Sequence, residues 1–89
     1  MKADFKKLLR AKAHALKPVV ITGQAGLTPA LLNEIDAALE HHELIKIRVN
    51  AQDREERAEM VEQICVESRA ELVQSIGHIV AVYRKNPDK

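Results

Sequence analysis

Tryptophan is absent from this sequence, and Phe5 and Tyr83 are its only aromatic residues. That poverty excludes a sheet that reads splayed nucleobases on the two or three stacked aromatics of an RRM. A single cysteine, Cys65, excludes an internal disulfide framework and fits a reducing compartment. Glycine and proline are scarce, three of each, while 46% of the residues are hydrophobic and 30% charged. That balance excludes a disordered chain and leaves one ordered domain of modest core. No apolar run approaches the ~18–20 residues needed to cross a bilayer. Lys2, Lys6 and Lys7 have no apolar segment behind them, so no secretory leader is expected and the expected location is cytoplasmic. His41-His42 has no Cys or His partner at ligand spacing, and Cys65 has no second thiolate or placed histidine. Neither a metal, a cofactor nor a nucleophile–base pair is therefore expected, and the chain does not read as an enzyme.

Charge is segregated along the chain although its net value is only +1. Residues 1–22 carry Lys2, Lys6, Lys7, Arg10, Lys12 and Lys17 against Asp4 alone. Residues 23–45 carry Glu34, Asp36, Glu40 and Glu43 with no Lys or Arg. Lys46 and Arg48 follow, then an acidic stretch to Glu71 and a basic end with Arg84 and Lys85. A polyanion binder needs a basic face, not a basic total, and these separated segments can assemble one.

Periodicity gives the order helix, strand, helix, strand, helix, strand, strand. Phe5, Leu8, Leu9, Ala13 and Leu16 form an apolar helical face, with Lys6, Arg10 and His14 on a neighbouring stripe. Pro18 ends that helix. Val19 to Thr22 is an unbroken apolar run, as expected of a central strand buried on both faces. Thr28 as N-cap and Pro29 at the first helical position open the second helix, whose buried face is Leu31, Leu32, Ile35, Ala38 and Leu39. Leu44 to Val49 alternates, placing Ile45, Ile47 and Val49 opposite Leu44, Lys46 and Arg48. Asp53 and Glu56 resemble a capping box opening a third helix, which buries Ala58, Val61, Ile64 and Cys65 and ends near Arg69. Glu71 to Ile76 and Ile79 to Arg84 form a hairpin across Gly77-His78, with Gly at the first central position of a type II′ turn. The result is an α/β domain over residues 1–85 with a mixed four-stranded sheet, and a short loose tail over 86–89.

Within this order the most informative motif is Gly23-Gln24-Ala25-Gly26, set between a strand and a capped helix. Two glycines three apart allow a sharp turn and the close approach of a bulky partner. The following helix aims unpaired N–H groups and its positive dipole end at the turn, which suits a phosphate. A nucleic-acid backbone clamp of the Gly-x-x-Gly type uses this arrangement; a plain structural turn is the alternative.

Several blocks in the same order resemble the bacterial YhbY family, the stand-alone CRM domain of chloroplast RNA splicing and ribosome maturation. They are Leu16-Lys17-Pro18-Val19-Val20, Gly23-Gln24-Ala25-Gly26-Leu27-Thr28, His42-Glu43-Leu44-Ile45-Lys46-Ile47, and Ile76-Gly77 followed by Val82-Tyr83-Arg84. The resemblance covers nearly the whole chain. It implies a fold akin to the C-terminal domain of translation initiation factor three and a role as an RNA-binding protein on large-subunit ribosomal precursors. The first variable loop position, often basic or small in that family, is here Gln24, so the loop adds no side-chain charge and the flanking cations matter more. The candidate RNA-binding residues are Lys6, Arg10, Lys17, Gly23, Gln24, Ala25, Gly26, Lys46, Arg48 and Arg84, with RNA as partner and no membrane or small-molecule substrate. The competing class is a protein-binding adaptor using the acidic faces of the second and third helices, Glu34, Asp36 and Glu40 with Glu55, Glu59 and Glu62.

Overall fold

The alternating patterns fold into seven elements in the computed structural model, in which residues 2–87 are described. They are α1 (Ala3–Ala13), β1 (Pro18–Ile21), α2 (Pro29–His42), β2 (Leu44–Arg48), α3 (Arg54–Ser68), β3 (Glu71–Ile76) and β4 (Ile79–Tyr83). The sheet order is β1-β2-β4-β3, with β1 parallel to β2 and the remaining neighbours antiparallel. Gly77 takes a φ of +58° and His78 does not share its positive φ, the pattern a II′ hairpin requires. No helix among the described residues is long and apolar enough to cross a membrane.

Alternation along β2 divides the core in two. Ile45, Ile47 and Val49 join Val80 and Val82 under α2 and α3, where Ile35, Leu39, Val61 and Ile64 close the larger cluster. On the opposite sheet face Leu44, Ala81 and Val73 meet only Leu9 and Ala13 of α1, with Tyr83 at the margin. Phe5 adds an edge-on contact to Tyr83, with ring centroids 5.3 Å apart. By area, α1 contributes on the order of 3–4 kcal/mol of docking, far less than α2 and α3 together.

Three expectations change. Phe5, Leu8 and Leu16 are exposed; Leu16 leaves the helical face because α1 ends at Ala13 and the chain tightens into i→i+3 bonds, Ala15 N–H to the Lys12 carbonyl and Leu16 N–H to that of Ala13. β1 is an edge strand, not a central one: only Val20 is buried, while Val19 and Ile21 are more than half exposed. A short apolar run cannot distinguish the two placements, and Pro18 with a register irregularity before Val20 blunts the open edge. On α3, Ala58 is exposed, while Val61 and Ile64 are fully in the core and Cys65, half-buried, packs at its margin with Met60.

The chain end is tied down earlier than its composition suggests. Asn86 is buried, its side-chain amide donating to the Leu39 and Glu40 carbonyls at 3.1 and 2.7 Å and its backbone N–H to the Glu43 carboxylate. It therefore satisfies the orphan carbonyls at the end of α2. Of the expected tail, Asp88 and Lys89 lie outside the described residues.

Candidate nucleic-acid interface

The Gly23–Gly26 turn closes on itself, with the Gly26 N–H donating to the Gly23 carbonyl at 3.1 Å. Gly26 has a φ of +72°, a left-handed conformation that favours glycine. Gly23 does not: its φ is ordinary, and a Cβ built there meets nothing within 4 Å. Neither a left-handed φ nor packing within the chain calls for a glycine at position 23.

The turn is anchored through the residue before it. Thr22 is buried; its N–H donates to the Arg48 carbonyl at 3.0 Å and its hydroxyl accepts the Asn50 N–H at 2.8 Å. The Asn50 side chain returns a bond to the Thr22 carbonyl at 3.0 Å. This reciprocal lock fastens the turn to the segment that opens α3. There the Glu56 N–H donates to Asp53, as a capping box demands, but the Glu56 carboxylate accepts from Gln52 rather than from Asp53. Thr22 and Asn50 gave no functional signal in the sequence beyond a hydroxyl and an amide placed at two strand ends. Between the two segments lies a cleft of about 510 Å³ with Glu56 in its wall. That carboxylate makes the cleft itself unfavourable to an anion.

The α2 terminus offers fewer donors than expected. Thr28 caps it through its hydroxyl, which accepts the Leu31 N–H at 3.1 Å, and Pro29 has no N–H to give. The Gln24 and Ala25 amides of the exposed turn bond to no other described residue, and neither does the Ala30 N–H in the first turn of α2.

The ten candidate residues do not converge on one spot. Arg48 is the cation nearest the loop, exposed and in register with Ile21 of β1, and Lys46 sits two residues back on the same face. Lys17 precedes β1 at its other end, roughly 15–20 Å from the glycines at 3.3 Å per residue. Arg10 donates through Nε to the Val73 carbonyl of β3 at 3.3 Å. It thus lies over the far edge strand, about 14 Å from β1 across three strand spacings. The Lys6–Arg10–His14 stripe is therefore not beside the loop; the return through residues 14–17 brings only the end of α1 toward β1.

Arg84 is committed elsewhere. Its guanidinium donates to the Asp36 carboxylate at 2.6 Å, to Glu40 at 3.1 Å and to the Asp36 and Ser68 carbonyls. Its side chain is 15% exposed, pinned between β4 and the helices, so it is not free to meet a phosphate. The same bonds neutralise two of the three acids proposed for an adaptor face on α2. Burial pushes the Cys65 thiol up, keeping it protonated and unsuited to nucleophilic work. Burial, with Glu43 and Glu71 nearby, does the same to the Tyr83 hydroxyl. Among the described residues no group of three or more His, Cys, Asp or Glu is placed to hold a metal.

The domain is thus a mixed four-stranded sheet carrying three helices, with a glycine turn and an exposed arginine at one rim. The chain belongs to the CRS1/YhbY (CRM) domain family, whose family model matches residues 1–84. It is 45% identical over 84 residues to the probable RNA-binding protein PA4753 of Pseudomonas aeruginosa, spanning 94% of this chain and 81% of that one. It is 46% identical over 83 residues to an RNA-binding protein of Haemophilus influenzae, spanning 93% and 84% of the two chains. In three dimensions it resembles the Staphylococcus aureus protein SAV1595, solved in solution, with a TM-score of 0.84 at 32% identity, covering 97% of this chain and 90% of that one.

Proposed function

We propose that this protein is a non-enzymatic, cytoplasmic RNA-binding protein that acts on structured ribosomal RNA in precursors of the large subunit. The observation that carries the proposal is the Gly23–Gly26 turn: two unbonded amides on a locked backbone, a glycine with no reason inside the fold, and Arg48 beside them. The Gln24 and Ala25 amides grip a backbone phosphate, and Arg48 and Lys46 neutralise the phosphates on either side. Lys17, Lys6 and Arg10 extend the field across the α1 face and steer encounter more than they anchor it. The RNA-binding descriptions of the relatives from P. aeruginosa and H. influenzae support the partner class.

Salt dependence tests this footprint. With Arg84 engaged internally, about two to four phosphates are neutralised by side chains. The slope of log affinity against log salt is then about −1.5 to −3, at ~0.7 per contact. Affinity for a structured RNA should fall roughly 8- to 60-fold between 50 and 200 mM salt in a filter-binding titration. A slope near zero contradicts phosphate capture, and one steeper than about −6 requires the acidic helices to take part.

A further inference from the structure

The open end of the sheet carries a second feature that neither the glycine turn nor the basic stripe explains. Register places Ile21, Arg48, Ile79 and Ile76 in one row across all four strands. All four project from the face opposite α2 and α3, since their neighbours Val20, Ile47 and Val80 are the ones buried under those helices. Leu9 and Ala13 of α1 cover this face only over Leu44, Val73 and Ala81. The row is largely uncovered: Ile21 is 59% and Ile76 60% exposed, Arg48 is exposed between them, and Ile79 is half-buried. One exposed isoleucine is ordinary; here Ile79 and Ile76 pair on adjacent strands, and the Arg48 side chain, with its aliphatic stem, stands between them and Ile21. Behind the row lies a hollow lined by His14, Lys46, Gln74, Ile76, Ile79 and Ala81, without a carboxylate.

We infer that this row is a platform for unpaired nucleobases of the RNA held by the glycine turn. The inference rests on the RNA-binding reading above and adds what the protein selects: single-stranded segments over duplex. Two observations fix the occupant. The row is continuous with the turn, because Ile21 is the last residue of β1 and Gly23 follows two residues later. Its charge is positive only, with Arg48 in the row and Lys46 behind it, which fits apolar base faces joined by phosphates rather than a purely apolar partner. The row spans about 14 Å, room for about three bases. Every base has an apolar face to bury, whereas a duplex keeps those faces stacked and offers the row only its backbone. Aliphatic contact of this kind favours unpaired bases with little sequence preference.

The test compares wild type with Ile21→Ser/Ile76→Ser and with Ile76→Tyr, against a short oligouridylate and a fully paired RNA duplex of equal charge. The double variant should lose about tenfold in affinity for the oligouridylate while its duplex affinity and salt slope stay unchanged. Ile76→Tyr should tighten oligouridylate binding several-fold by offering a ring to stack on. Equal losses on both RNAs, or no change in either variant while wild type still binds RNA, overturns the platform and leaves the RNA-binding function standing. Wild type that binds neither RNA overturns both. A double variant that alters self-association in sedimentation, with RNA affinity unchanged, assigns the row to a second copy of the chain and overturns the inference.

Discussion

Gln24→Asp combined with Ala25→Asp is expected to abolish RNA binding and leave the fold intact. Two carboxylates at an exposed turn repel the phosphate that the adjacent amides receive, and at ~4–6 Å separation such repulsion outweighs one or two neutral hydrogen bonds. Neither residue is buried or bonded elsewhere in the described chain, and acids next to the start of α2 suit its dipole. Circular dichroism and thermal midpoint should therefore match wild type while a gel-shift titration shows no complex. Gly23→Ala sharpens the point, because the added methyl meets nothing within 4 Å of the chain itself. It should be silent in stability and weaken RNA binding. Wild-type affinity in both variants would remove the turn from the mechanism.

Arg84→Ala is expected to do the reverse, lowering stability and leaving the RNA affinity of the folded protein unchanged. Asp36 and Glu40 are 59% and 66% exposed, so their ion pairs with Arg84 are screened and worth little. The larger loss is the packed stem of a side chain only 15% exposed, together with its bond to the Ser68 carbonyl at 2.9 Å. The sum is about 2 kcal/mol, or a fall in Tm on the order of 10 °C for a domain of this size. Normal stability with lost RNA affinity would return Arg84 to the interface.

The glycine turn and Arg84 mark what the sequence discloses and what it withholds. Strand and helix order, the Thr28 and Asp53 caps and the II′ hairpin are local chemistry, and all were legible. The glycine turn was legible too, as a motif. Sheet order was not, because Val19-Val20-Ile21 reads the same at an edge as at a centre, and only pairing with β2 alone makes it an edge. The fate of each cation was equally hidden. Lys46, Arg48 and Arg84 are alike in sequence, yet β2 leads toward the glycine turn while the end of β4 runs back to α2, where Asp36 and Glu40 wait. The isoleucine row needs the register of all four strands before it exists at all.

Backbone amide resonances followed during titration with a structured ribosomal RNA fragment test the central claim most directly, since they report contact residue by residue in the intact chain. RNA held at the open end of the sheet should shift Gln24 and Ala25 most, with Ile21 and Arg48 next and the outward face of α3 silent. Shifts confined to Glu55, Glu59 and Glu62, with the turn unmoved, would contradict the account.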